Sequence, residues 1–202
     1  MLSISERQIK LSFLGYYKGA IDGIEGKLTK EAYLKLQKDY FVNNRWRKDI
    51  DGIYGINTDR LLCNVYIVKS LCNHFGVKEF KCKCGNRFCS GYPAYLNENL
   101  LLNLENMRRF LNSPIYIESG IRCSTHNRNV GGSDKSRHKY GKAVDIYSAG
   151  FKNIAKRKEV IDKWLTYKNS RYGYGNGYSN LGGQIGHPSA SKMGHSVHLD
   201  VK

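Results

Sequence analysis

The stretch Ser136-Arg-His-Lys-Tyr-Gly-Lys-Ala-Val-Asp145 decides how this chain is read. It supplies an imidazole at His138 and a carboxylate at Asp145, separated by a glycine turn at Gly141. Residues Ala143 to Tyr147 favour a strand, so Asp145 sits on a rigid element with His138 just before the turn. Near the C-terminus, His195-Ser-Val-His-Leu-Asp200 alternates Val197 and Leu199 with His198 and Asp200, a strand with one polar face. His198 can then close against the first pair and complete a set of two imidazoles and one carboxylate. Zinc catalysis uses three protein ligands of this kind and keeps a fourth position open. A loop histidine and a strand aspartate also occur together by chance, so the pattern alone does not decide the chemistry.

Composition narrows the classes. The 202 residues hold 33 Lys/Arg and 17 Asp/Glu, a formal net charge of +16, and 41% are hydrophobic, enough for a packed core. No apolar run is long enough to cross a membrane, so membrane insertion is not expected. Met1-Leu-Ser-Ile-Ser-Glu-Arg7 lacks a basic-then-apolar leader, which predicts synthesis in a cytoplasm without a signal peptide. Residues 1–67 carry 11 Lys/Arg against 8 Asp/Glu, whereas the remainder carries 22 against 9. An excess of that size attracts polyanions, with nucleic acid and the anionic polymers of a Gram-positive wall as the two candidates. The cations are scattered, unstacked with aromatics and outside any nucleic-acid-binding motif, which speaks against nucleic acid. A solvated basic surface without a partner is the plain alternative.

Six cysteines without a leader argue against a disulfide framework. Cys63 and Cys72 read as ordinary buried thiols. Cys82, Cys84 and Cys89 are unusually dense, and Cys123 can join them in a second, structural zinc site. Their spacing is not a Cys-x-x-Cys knuckle, so four unliganded thiols are the competing reading.

The first third contains a repeat. Asp22-Gly-Ile-Glu-Gly-Lys-Leu-Thr29 returns as Asp51-Gly-Ile-Tyr-Gly-Ile-Asn-Thr58, each copy with two turn glycines and a threonine suited to capping the next helix. Ile9, Phe13 and Leu14 form one helical face before the first copy; Ala32, Tyr33, Leu36 and Gln37 form another after it, and Leu61-Leu62 a third. A three-helix unit over residues 1–67 is the economical reading. It is followed without a linker by a second unit over residues 68–202. There, Leu96, Leu100, Leu104, Met107 and Leu111 mark a long helix that stops before Pro114. Strands are expected over Pro114 to Glu118 and Ala143 to Tyr147, and a helix over Phe151 to Tyr167 with Ile154, Ile161, Trp164 and Leu165 on one side. Arg171 to Tyr178 reads as a glycine-rich loop, with a mobile cleft wall as the alternative, and Gln184-Ile-Gly186 and Ser196 to Val201 as the last strands. The fold class is α+β with a mostly antiparallel sheet.

The motif Ser-x-His-x-x-Gly-x-Ala-x-Asp, matched by Ser136, His138, Gly141, Ala143 and Asp145, resembles the signature of the M15 zinc peptidases. That family includes D-Ala-D-Ala carboxypeptidases and bacteriophage endolysin endopeptidases. Ser119-Gly-Ile-Arg-Cys-Ser-Thr-His-Asn127, Val130-Gly-Gly132 and Val197-His-Leu-Asp200 are similar to its other motifs. Upstream, Leu14 to Gly26 resembles the peptidoglycan-binding-like three-helix domain, with Tyr16, Tyr17 and Tyr54 expected as exposed rings against sugar or peptide.

The resemblance implies Zn2+ held by His138, Asp145 and His198, Arg122 steadying the substrate carbonyl oxygen, and Asn127 assisting it. A salt bridge to Glu118 is the alternative employment for Arg122. Family members place Asp or Glu three residues before the last ligand; here that position is His195, whose imidazole can move a proton near neutral pH. Glu118 and Asp134 are the other candidates for that task, and His187 reads as a loop histidine. The implied function is an endolysin-like peptidoglycan hydrolase cutting stem peptides or cross-links and, lacking a leader, released when a holin opens the membrane. The alternative is a catalytically inactive wall-binding protein that retains a structural zinc.

Overall fold

A computed structural model of the chain describes residues 1–43, 47–175 and 193–202. Three helices come first: α1 (Ile4–Phe13), α2 (Lys27–Tyr40) and α3 (Ile56–Leu71). Ser3 and Glu6 cap α1 reciprocally, each satisfying a backbone N–H of the other.

The repeat has a structural cause. Gln8 on α1 and Gln37 on α2 are fully buried, and each is satisfied by the loop that follows. Gln37 Nε2 donates to Asp51 Oδ1 (3.0 Å), the Ile53 carbonyl (3.0 Å) and Thr58 Oγ1 (2.9 Å), and its Oε1 accepts from Gly52 N at 2.7 Å. Gln8 makes the equivalent bonds to Asp22 (2.7 Å), Ile24 (3.1 Å), Thr29 (3.3 Å) and Gly23 N (2.9 Å). A buried amide left unpaired costs about 1–3 kcal/mol, so each loop is shaped to feed one glutamine. Thr29 and Thr58 are therefore not helix caps, contrary to the sequence reading. Gly26 and Gly55 hold the cap positions, and the threonines lie inside α2 and α3, buried against the glutamines.

Two further expectations fail here. The face of α1 that packs inward is Gln8 and Leu11, leaving Ile9 and Phe13 half exposed. The rings expected on the surface are structural instead. Tyr17 is 5% exposed, with its hydroxyl on the Ala20 carbonyl. Tyr54 is 8% exposed, 4.9 Å from the Tyr33 ring, with its hydroxyl on Asp59. Tyr16 is half-buried and donates to Asp39 at 2.6 Å. Each hydroxyl finds an acceptor close by, which lets the ring turn inward.

The expected boundary at residue 67 falls inside α3, which continues to Leu71. Asn64 on this helix donates to the Ala94 carbonyl (2.9 Å) and accepts from Leu96 N (2.7 Å), and Asp59 takes the Tyr95 hydroxyl at 2.5 Å. Buried apolar side chains form one continuous core from Leu11 to Val201. Thus α3 braces the segment that leads into the second half.

That half contains α4 (Glu98–Leu111), α5 (Ser124–Asn129) and α6 (Ile154–Leu165), with short 3-10 turns at Val77–Phe80, Arg137–Tyr140 and Ala149–Lys152. Strands β1 (Tyr116–Ser119), β2 (Ala143–Tyr147), β3 (Ser170–Gly175) and β4 (Val197–Val201) form an antiparallel sheet in the order β1-β2-β4-β3. The α+β class holds. On α6 the buried face is Arg157, Val160, Ile161 and Trp164, while Ile154 and Leu165 are exposed. Ser170–Gly175 is a strand, where the sequence reading expected a loop. Its glycines serve packing: a Cβ on Gly173 would sit 3.2 Å from both Ile161 and Leu199, so the bare backbone lets α6 lie close against the sheet. Gln184-Ile-Gly186, Tyr178 and His187 lie outside the described residues.

Candidate metal centre

The sheet register builds the site. Across adjacent strands, Ser119 faces Asp145, Asp145 faces His198, and His198 faces Tyr174, one transverse row through all four strands. His138 reaches the row from the 3-10 turn before β2. That turn ends on Gly141 at φ +65°, where a Cβ would overlap the Tyr95 carbonyl oxygen, so only glycine fits. The glycine of the quoted motif thus fixes the distance between the imidazole and the carboxylate.

Three donor atoms converge. Asp145 Oδ1 lies 2.8 Å from His198 Nδ1 and 3.2 Å from His138 Nε2, and the two nitrogens are 3.3 Å apart. Zinc bonds of about 2.0–2.1 Å in a tetrahedron require donor separations near 3.3 Å, so the three atoms outline one tetrahedral face. The remaining ring nitrogens are held from behind. His138 Nδ1 is 2.7 Å from the Gly120 carbonyl, and His198 Nε2 is 3.6 Å from Asp200 Oδ2. Such outer contacts select the tautomer and aim the free nitrogen inward. Both imidazoles are buried, at 2% and 7% exposure. Buried polar donors packed this closely fit Zn2+, the cofactor expected from the sequence.

The charges are balanced within the row. Burial pushes the Asp145 carboxyl up, but His138 and His198 outweigh it and hold it well below the usual carboxylate range. Burial pushes the His138 imidazole down, only partly offset by Asp145. His198 is also pushed down by burial, yet Asp145 and Asp200 reverse the direction and raise it. Ionised Asp145 and neutral His138 suit a metal as they stand, whereas His198, biased toward its charged form, must release its proton when a metal binds.

Arg122 pairs with Asp145 Oδ2, not with Glu118, and its Nε donates to Ser119 Oγ at 2.8 Å. It is thereby fixed beside the ligand row. Asn127 is buried at 2% and its Nδ2 donates to the Ser133 carbonyl at 2.9 Å, so its amide holds the loop ahead of Ser136. His195 is exposed in the turn before β4. Glu118 is exposed too; burial raises its carboxyl, Lys83 opposes this, and Asp145 and His195 also act on it. Glu118 thus lies within electrostatic reach of both Asp145 and His195. Asp134 is exposed in the loop before Ser136, and no bond ties its side chain to the row.

One residue escaped the sequence reading. Tyr174 stacks on His198 with ring centroids 4.5 Å apart and planes 26° apart. It lies in the glycine-rich run for which a loop or a cleft wall is expected, and the alternation Tyr172-Gly-Tyr174-Gly175 is the run's one strand signal.

Over 150 residues the chain is 31% identical to the zinc D-Ala-D-Ala carboxypeptidase of Streptomyces albus G, an alignment covering 69% of this chain and 56% of that protein. The chain thus spans little more than half the length of that relative. Residues 73–174, just over half of the chain, match the family described as Peptidase M15, and this span contains two of the three converging donors, His138 and Asp145. With the third donor supplied by β4, the chain belongs to the peptidase M15 family.

Proposed function

We propose that the chain is a zinc peptidase that hydrolyses peptide bonds of bacterial peptidoglycan, in the stem peptide or its cross-links, in the manner of an endolysin. The single observation that carries this reading is the convergence of His138 Nε2, Asp145 Oδ1 and His198 Nδ1 on one face within a family of peptidases. The similarity to a zinc D-Ala-D-Ala carboxypeptidase supports the substrate class.

Bound there, zinc supplies a Lewis acid that polarises the scissile carbonyl and acidifies water. The protein contributes the rest. Arg122, held by Ser119 and Asp145, presents a fixed cation to the carbonyl oxygen as negative charge develops on it, a contribution of the order of 3–4 kcal/mol in a water-poor site. His195 accepts the proton of the attacking water on an imidazole nitrogen and returns it to the leaving amine. Glu118, within electrostatic reach of Asp145 and His195, is the carboxylate that takes this task if His195 does not. Tyr174 stacks on His198 and keeps water from its ring face.

For the first three helices we propose attachment to the wall. Support comes from a groove of about 630 Å³ between the two repeat loops, lined among others by Glu25, Lys30, Leu34, Ile53 and Tyr54. Ile24 and Ile53, equivalent in the repeat, are each 66% exposed beside it. The positive charge of the chain favours anionic wall polymers as a second contact.

Mass spectrometry of fragments released from purified peptidoglycan tests the reading. New amino and carboxyl termini within the peptide are expected, lost in His138→Ala, and their position separates carboxypeptidase from endopeptidase action. His195→Ala should lose most of the rate and His195→Glu recover part of it; a fully active His195→Ala moves the assignment to Glu118. Binding to walls without any cleavage, by a zinc-loaded chain, would instead establish the inactive wall-binding reading.

A further inference from the structure

A second group of metal-ligating side chains, all thiols, lies apart from the His-Asp-His row. We propose that Cys82, Cys84, Cys89 and Cys123 bind a structural zinc ion through four thiolates.

The four sulfurs all lie within 4.8 Å of one another, and Cys84 Sγ and Cys89 Sγ are 3.6 Å apart. Zinc–sulfur bonds of about 2.3 Å give tetrahedral edges near 3.8 Å, whereas a disulfide brings its sulfurs to about 2.05 Å. The spacing is that of ligands around an ion. All four are free thiols at 1–8% exposure, and they form a cluster of their own, separate from the continuous apolar core. Hydrophobic packing therefore does not account for their meeting, since they meet mainly each other.

Backbone groups complete the site. Cys123 N points at Cys82 Sγ, Gly91 N at Cys89 Sγ and His126 N at Cys123 Sγ, each at 3.4 Å. N–H groups aimed at sulfur favour the thiolate over the thiol. The loop turns sharply through Gly85 (φ +64°) and Asn86 (φ +60°), which brings Cys84 and Cys89 together although the spacing is not a Cys-x-x-Cys knuckle. Arg47 lies within electrostatic reach of Cys84 and Cys89, and Lys81, Lys83 and Arg87 are in the loop itself. Four thiolates on Zn2+ carry a net charge of −2, which these cations offset.

The position explains what such an ion does. Cys82 N bonds the Gly91 carbonyl (2.8 Å) and Ile121 N bonds the Phe80 carbonyl (2.9 Å), so the cysteine loop runs beside residues 120–123. That short segment carries the Gly120 carbonyl behind His138, then Arg122, then Cys123. A zinc holding Cys123 to the 82–89 loop clamps both ends of the segment. It acts as a positioning device for His138 and Arg122.

The test uses the full chain, purified under reducing conditions. Elemental analysis should find two zinc per chain in the wild type and one in Cys84→Ser/Cys89→Ser. The variant His138→Ala/His198→Ala leaves the cysteines intact and should retain one zinc, with an X-ray absorption spectrum of four sulfur scatterers at about 2.3 Å. Should either variant fail to fold, cobalt loading of the wild type decides, because only thiolates give intense sulfur-to-cobalt charge-transfer absorption in the near ultraviolet. The proposal is overturned by absence of that absorption, by a metal shell without sulfur, by iron in place of zinc, or by peptide masses showing the cysteines paired as disulfides.

Discussion

Replacing Asp200 by Asn probes the support behind a ligand without touching the ligand. Asp200 is 5% exposed, its Oδ2 lies 3.6 Å from His198 Nε2, and its Oδ1 accepts from Tyr172 N at 3.1 Å. Asn keeps an oxygen for Tyr172, so the pairing of β3 and β4 should survive with little change in melting temperature. What is lost is the negative charge that makes His198 Nδ1 a stronger donor. Loss of such a partner typically lowers metal affinity by about 10–100-fold. At 3.6 Å the contact is an ion pair and not a short hydrogen bond, so the expected loss is near the lower end, about tenfold or ~1.4 kcal/mol. Zinc partition between the protein and a chromophoric chelator measures this directly, with activity lost in parallel. Unchanged affinity in a folded Asp200→Asn would refute the claim that Asp200 tunes this ligand, and Tyr172 would be its only business.

Other consequences can be checked as simply. Gly141→Ala forces a left-handed residue, costing about 1–2 kcal/mol, and adds the overlap with the Tyr95 carbonyl, so calorimetry should show a large drop in melting temperature or no soluble protein. Gln37→Ala strands the partners it satisfies in the Asp51–Thr58 loop and should destabilise by about 2–4 kcal/mol in denaturant titrations, with Gln8→Ala close behind. In the metal-stripped chain the depressed Asp145 carboxyl contributes stability above the ordinary aspartate range, and that contribution is lost as pH falls below about 4. Asp145→Asn should flatten this acid limb of the stability curve; an identical limb would assign it elsewhere.

The three candidate metal donors were legible because motif and strand period coincide. Alternation at Val197–Asp200 puts His198 on the same face as Asp200, and antiparallel pairing then sets His198 opposite Asp145. The orienting groups were less legible. The Gly120 carbonyl carries no side-chain signature, and β3 hid behind glycines whose purpose is to admit Ile161 and Leu199. In the first three helices the error had one source. Aromatic and threonine residues beside turns suggested exposed rings and helix caps, yet Thr29 and Thr58 bond the buried Gln8 and Gln37 and the rings of Tyr17 and Tyr54 turn inward. A polar residue on an apolar helical face, repeated at the same distance from each Asp-Gly-Ile, was the clue, and periodicity scoring of apolar positions passes over it. The cysteine cluster was visible only as density in sequence, since Cys123 is brought to the other three by tertiary packing.

The central claim is that one zinc at His138, Asp145 and His198 powers peptide-bond hydrolysis. Its most direct test strips the metal from the full chain and titrates zinc back while hydrolysis of purified stem peptides is followed. Activity should vanish on stripping and return with zinc in the wild type, and should stay absent in His138→Ala and His198→Ala at any zinc concentration. Hydrolysis that persists in those two variants would contradict the account.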